Sequence, residues 1–346
     1  MTNVERFHAI MNFQPVDRLP MLEWAFFWDK TITRWHSEGL PTNLKCDGED
    51  DVGNISEYLG LDSIRQCWFK IYKEPEFAAY CKNNCFHGDG PVRGMESYSK
   101  IRPLLFVEKP FDQNYIQQCA ARHAKGETIV WITLEGFFWF PRMLFGIEPH
   151  ILAFYDHPEV MHAINEDIVT YYLRILDRFC EICKPDFMTF AEDMSYNHGP
   201  MCSKSTFDEF LAPYYKRIVP RLKEYGIIPF VDTDGLVNDL VPWFLDVGIE
   251  GFLPLERMAG VDISEMRNKY PKLKMIGGFD KTSMCQGEQA MRNEFERILP
   301  VMKQGGYIPA VDHQTPPDVS LENYKRYLGL YAEYCAKAGA RKNFVS

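Results

Sequence analysis

Asp232-Thr-Asp234-Gly235 is the place in this sequence where side chains are best spaced to do chemistry. It ends the apolar run Ile227-Ile-Pro-Phe-Val231, whose β-branched and aromatic residues read as a buried strand, and Gly235 turns the backbone afterwards. Two acids two residues apart project to one side of an extended chain, so both carboxylates can reach one ligand. Asp also serves plain turn chemistry after strands, so the pair alone does not define a site. The pattern recurs, however, because other apolar runs end in Glu23, Glu135, Glu192 with Asp193, Glu256, Asp280, and Asp312 with His313.

Carboxylates gathered at one mouth repel one another and lose hydration. Some must therefore be protonated, paired with arginine or bound to a cation. Arg142 and Arg257 are the internal partners the sequence offers. A divalent metal on Asp232, Asp234 and His313, with Glu256 or Glu192 completing the shell, is the sharper expectation, and oxygen and imidazole ligands suit zinc foremost, or iron or manganese. Two aromatic clusters flank acids: Trp24, Phe26, Phe27 and Trp28 beside Glu23, and Phe137-Phe138-Trp139-Phe140 ahead of Arg142. They suit a flat substrate, and they equally suit core packing or a plug over a barrel mouth.

The elements that position these residues follow from the alternation along the chain. Strands are expected at Leu19 to Phe27, Leu61 to Phe69, Thr128 to Leu134, Phe187 to Ala191, Ile227 onward, Gly251 to Leu255, Leu273 to Ile276 and Tyr307 to Val311. An amphipathic turn is expected at Val4 to Met11, and helices at Pro158 to Phe179, Leu236 to Leu245, Ser264 to Tyr270, Glu288 to Lys303 and Leu321 to Ala336. A capping box is expected at Ser205 to Asp208, with a bend at Pro213 or Pro220. Eight strands with crossovers between them predict a (β/α)8 TIM-type barrel over residues 1–346 as a single domain. The 72–127 stretch, with its turn at Asp89-Gly-Pro91, is expected to be a hairpin excursion. In such a barrel the acids named above sit at the carboxyl ends of the strands, where barrel sites lie.

Composition narrows the partners. Of 346 residues 46% are hydrophobic and 25% charged, an ordinary globular balance, and the formal charge of -10 argues against nucleic acid or an anionic membrane surface. No membrane span and no signal peptide is recognisable, so a cytoplasmic location is expected. The ten cysteines, including Cys180 and Cys183 in a CxxC and Cys81 and Cys85 four apart, lack a second pair at zinc-finger spacing and read as reduced thiols.

Several segments in order resemble the uroporphyrinogen decarboxylase superfamily. They are Glu135 to Gly146, Glu192-Asp-Met-Ser-Tyr196 through Pro213-Tyr-Tyr-Lys216, Asp232-Thr-Asp-Gly235, Phe252-Leu-Pro-Leu-Glu256, Gly277-Gly-Phe-Asp280, Gly305-Gly-Tyr-Ile-Pro309 and Asp312-His-Gln-Thr-Pro-Pro-Asp-Val-Ser320. The resemblance implies a deep cleft at the carboxyl end of a barrel and one of two chemistries, tetrapyrrole decarboxylation or cobalamin-dependent methyl transfer. The arginine-rich signature of the decarboxylases is replaced here by Met21-Leu-Glu-Trp-Ala-Phe-Phe-Trp28. The zinc-binding HxC pair of the methyltransferases aligns with Asp232 and Asp234, and the later ligand falls near Asp312 or His313.

The expectation is a methyltransferase-like enzyme that moves a methyl group from a small methoxy or methylamine compound to a corrinoid carried by a partner protein, with a metal assisting. The alternatives are a tetrapyrrole decarboxylase and a barrel that binds a small molecule without turning it over. Catalysis is assigned to Asp232, Asp234, Glu256 and His313, and substrate binding to Glu23, Trp24, Glu135, Phe138, Arg142, Glu192 and Tyr196.

Overall fold

A computed structural model describes residues 1–25, 27–46, 51–80 and 89–339. Seven strands form one curled, all-parallel sheet: β1 (Ile64–Trp68), β2 (Ile129–Glu135), β3 (Phe187–Ala191), β4 (Ile228–Asp232), β5 (Gly251–Leu253), β6 (Lys274–Ile276) and β7 (Tyr307–Ile308). Each pairs with the next in chain order, with Trp131 opposite Phe187 and Phe187 opposite Ile228. Parallel strands covered on both faces are apolar throughout, and β2, IVWITLE, is buried up to its final glutamate. The architecture is an α/β sheet of TIM type ringed by helices.

The expected first strand is not a ladder strand. Around Leu19 to Ala25 the chain is extended and lies where the eighth strand would be, between Asp62 at the entry to β1 and Val311 beyond β7. Pro20 lacks a donor, and mixed contacts replace the ladder. The Asp62 amide donates to the Met21 carbonyl at 2.7 Å, the Val311 amide to the Glu23 carboxylate at 3.0 Å, and the Trp24 indole to the Val311 carbonyl at 2.7 Å. Phe26 and the Cys81 and Cys85 pair lie outside the described residues.

The 72–127 excursion leaves between β1 and β2. Among the described residues it is pinned by isolated antiparallel bridges, Tyr72 to Leu105 within it and Asp89 to Gly146 outside it, and it carries helices Met95–Ile101 and Gln113–His123. The helix Pro158–Cys180 buries Val160, Ile164, Ile168, Tyr171, Ile175 and Phe179, the stripe its 3.6-residue period places on one face. The expected cap near Ser205 falls two residues earlier, where the Ser203 hydroxyl accepts from the Thr206 amide, and the helix breaks at Leu211 so that Pro213 sits in the first turn of Ala212–Glu224.

Near the closing strand Gly277 has φ +110°, and a Cβ there would overlap the Pro254 carbonyl. Only glycine lets β6 end against that corner. The last helix, Leu321–Gly339, lays Tyr324, Tyr327 and Tyr331 inward, fully buried, and Tyr327 reaches Glu23 at 2.6 Å. Among the described residues no helix is long and apolar enough to cross a membrane.

Candidate active site

The strand ends do gather at one mouth. A cavity of about 190 Å³ is lined there by Trp24, Ala25, Gln66, Trp68, Trp131, Asp193, Asp232, Asp234, His313 and Gln314. Asp232 is the last residue of β4. Asp234 is placed by the turn that follows, where the Thr233 hydroxyl accepts from the Met194 amide at 3.0 Å and the Ser195 hydroxyl donates to the Asp234 carbonyl at 2.5 Å. The Gly235 amide donates to Glu256 at 3.1 Å, so Glu256 holds this turn and does not line the cavity.

His313 follows Asp312, which is fully buried and accepts from the Arg257 amide at 3.0 Å and the Lys281 amide at 3.2 Å. That anchor sets the His313 ring 3.4 Å from the Asp234 carboxylate and edge-on to Trp24, with ring centroids 6.4 Å apart. Asp193 takes a left-handed backbone conformation, φ +39°, just past β3, and its carbonyl accepts from Arg142 at 3.1 Å. Arg142 in turn stacks over the Trp139 ring at 4.8 Å.

Crowding controls the protons here. Burial first, then Asp193 and Asp234, raise the Asp232 carboxyl well above the usual range. Asp193 is pushed up to about 6 by burial and by Asp234, with Arg142 opposing. The hydrogen bond to Asp234 raises His313 against the opposite pull of its burial. Asp232 and Asp193 are thus harder to ionise than free carboxyls, and His313 holds its proton more firmly through its contact with Asp234.

Four of the expected substrate residues are elsewhere. Glu192 is fully buried and accepts the amides of Phe137 (2.9 Å), Phe138 (2.8 Å) and Trp139 (3.1 Å) and the Tyr215 hydroxyl. It caps the start of helix Trp139–Phe145, and a Cβ at Gly136 would overlap its carboxylate. Glu23 is buried against Val311 and Tyr327 and ties the chain entry to the last helix. Burial pushes both carboxyls up to about 7. Phe138 is fully buried against His150 and Phe154, and Tyr196 lies exposed in the two-residue hairpin strands Ser195–Tyr196 and Gly199–Pro200.

Glu135 lines a neighbouring cavity of about 380 Å³ with Lys70, Tyr72 and Glu74, sharing Trp68 with the acid cavity. Burial and then Asp193 raise it to about 8. Sequence reasoning did not select Asp193, Gln66, Trp68 and Trp131. Asp193 had a signal, its place beside Glu192 at a strand end. The tryptophans had none, because which face of a strand looks into a barrel depends on register.

The donors around the acid cavity are oxygens and one imidazole. Among the described residues, no three or more His, Cys, Asp or Glu side chains are arranged to hold a metal ion. Asp232, Asp234 and His313 share a cavity without converging on an ion-sized point, so this geometry does not fit the expected metal. Cys180 and Cys183 are buried thiols pushed up to about 12, inert rather than ligating.

A methyltransferase from Methanosarcina mazei superposes with a TM-score of 0.65 at 14% identity, covering 96% of this chain and 99% of that one. A chitobiase from Flavobacterium johnsoniae aligns at TM-score 0.38 and 11% identity, over 93% of this chain and 52% of that one. A fungal β-1,4-galactanase aligns at TM-score 0.39 and 8% identity, over 89% and 99%. No curated protein matches the sequence. The sequence profile of the uroporphyrinogen decarboxylase (URO-D) family matches residues 117–334, more than half of the chain. The strands that carry the acid cavity from β2 to β7 all fall inside that match, and the chain belongs to the uroporphyrinogen decarboxylase (URO-D) family.

Proposed function

We propose that this protein is a methyltransferase that removes a methyl group from a small methoxy or methylamine compound and passes it to a corrinoid carried by a partner protein. The observation that carries the reading is the acid cavity itself: Asp232, Asp193 and the His313–Asp234 pair line one space at the strand ends with Trp24, Trp68 and Trp131. At about 190 Å³ the cavity falls below the roughly 300–1,000 Å³ of pockets for drug-sized ligands, which suits a small substrate. It is far too small for a corrin ring, so the acceptor must reach the substrate from outside the mouth. When bound there, the corrinoid supplies the nucleophile that accepts the methyl group.

The chain's own residues deal with what is left behind. Breaking a carbon–oxygen or carbon–nitrogen bond so that the methyl group departs leaves both electrons on the heteroatom. The oxygen of a methoxy compound is then strongly basic, and a positioned acid lowers the barrier by giving it a proton, worth about 10²–10⁴-fold in rate, whereas a methylammonium departs as a neutral amine and needs only a carboxylate to hold its charge. For a methoxy compound Asp232 is the donor, since burial and then Asp193 and Asp234 raise its carboxyl well above the usual range. His313, whose proton is held more firmly through its contact with Asp234, is the neighbouring group from which that proton is restored. The tryptophans exclude water and orient the methyl group.

The fold relation to a methyltransferase and the URO-D family membership are consistent with this reading. The test is to incubate the full chain with cobalt(I) corrinoid and a panel of methoxy and methylated-amine compounds, following the corrinoid spectrum and the demethylated product. Asp232→Asn should reduce transfer by about 10²-fold or more while leaving the fold intact. Wild-type rates in that variant would remove Asp232 from the chemistry, and no transfer from any compound in the panel would end the proposal.

A further inference from the structure

The acid cavity holds more acids than counter-charges. Asp193, Asp232 and Asp234 line one space of about 190 Å³, and among the described residues no hydrogen-bond donor reaches the Asp232 carboxylate. Arg142 is spent on the Asp193 carbonyl and the Trp139 ring, and His313 lies against Asp234. A half-buried carboxylate with no donor, crowded by two others, is held only by keeping its proton. The remaining lining is Ala25, Gln66, Gln314 and the indoles of Trp24, Trp68 and Trp131, the best faces for a cation, two of which are fixed through their N–H groups: Trp24 on the Val311 carbonyl at 2.7 Å and Trp131 on the Thr189 hydroxyl at 2.9 Å. Rigid indoles on one side and acids on the other are the two halves of an ammonium site. A bare metal ion fits poorly, because the acids do not converge on a point and three of the ten lining residues are indoles.

We infer that the cavity selects a small organic cation, a quaternary or tertiary methylammonium, in preference to a neutral methoxy compound of the same shape. This rests on the methyl-transfer reading and narrows its substrate class. The cation places its methyl groups against Trp24, Trp68 and Trp131 and supplies the charge that Asp193 and Asp232 lack. Its arrival favours the ionised acids, so binding releases protons, and affinity increases as pH rises through the range near 6 where Asp193 ionises. The other groups facing the space or its rim are Asp234, His313, Glu135, Glu256 and Arg142. His313 lies against Asp234 and opposes part of the gain when it carries its proton.

Binding can be read without turnover by calorimetry on the full chain, using choline and its neutral carbon isostere 3,3-dimethylbutan-1-ol in buffers of different ionisation enthalpy at pH 5.5, 6.5 and 7.5. The expected result is at least tenfold tighter binding of choline at pH 7.5, proton release on binding, weaker binding at pH 5.5, and quenching of tryptophan fluorescence. Asp232→Asn should cut choline affinity at least fivefold and leave the isostere unchanged. Trp24→Leu should weaken choline as well, and if that variant does not fold, Trp24→Phe with a smaller loss takes its place.

Equal binding of the two ligands, or choline binding without proton release, would overturn the inference. So would stoichiometric binding of zinc or manganese alone that displaces choline. Methyl transfer from a neutral methoxy compound with no choline binding would sink the cation site while sparing the proposed function. Tight choline binding without any transfer would do the reverse.

Discussion

Glu192→Ala should damage stability rather than substrate binding, and the structure gives the size of the loss. The carboxylate is fully buried and is the acceptor for three backbone amides at the start of helix Trp139–Phe145 and for the Tyr215 hydroxyl, itself fully buried. Alanine removes the acceptor and leaves these donors where water cannot replace it. An unmet buried donor costs about 1–3 kcal/mol, so the four together, partly relieved by relaxation, cost about 4–8 kcal/mol. That is a large share of the 5–15 kcal/mol by which domains are typically stable. At about 2.1 cal/mol/K per residue, a chain of 346 residues loses roughly 1–2 °C of Tm per kcal/mol, which predicts a fall of about 6–12 °C.

Scanning calorimetry on the full chain reads the shift, with Glu265→Ala, exposed on helix Ile263–Lys269, as a control that should move by less than about 1 °C. Gln at 192 keeps one acceptor oxygen and should fall between the two. A Glu192→Ala protein that melts within 2 °C of the parent, but binds substrate much more weakly, would refute the capping role and return Glu192 to the substrate site.

Glu23 and Glu192, both pushed up to about 7, hold protons in the folded chain that the unfolded chain releases near 4.3, so stability should decline as pH rises from about 4.5 to 7. Chemical denaturation across that range should show the slope and Glu23→Gln should flatten it, whereas stability rising with pH would contradict the buried, protonated assignment. Uroporphyrinogen should not be decarboxylated, because the cavity is small and acidic and the region of Glu23 and Trp24 carries no arginine; turnover of about 1 per second or more in an anaerobic assay would overturn this. Limited proteolysis should nick the 72–127 excursion without releasing an independently folded fragment, since strands precede and follow it; a stable 1–127 piece would argue for two domains.

The sequence by itself determined most of the scaffold. The apolar runs of β2 to β4 and the stripe of helix Pro158–Cys180 were legible because burial imposes periodicity on local sequence, and the acids were legible as strand endings because each run stops at one. The first expected strand was not legible correctly. An apolar run with Pro20 in it has the same pattern whether it pairs through a ladder or is tied in by Glu23, Trp24 and Asp62, and only the neighbouring chain decides which.

The site divided in the same way. Asp232, Asp234, His313 and Trp24 do meet, but Glu192, one residue from Asp193, faces the opposite way and caps a helix, since alternate residues leave a strand on opposite sides. Phe138 reads as a substrate wall in sequence and is core in the fold, while Trp68 and Trp131, not singled out in sequence, line the cavity. Composition fixes that acids and aromatics exist at these positions. Strand register and the closure of the sheet decide which of them share one small space, and that sharing is what shifts their protons.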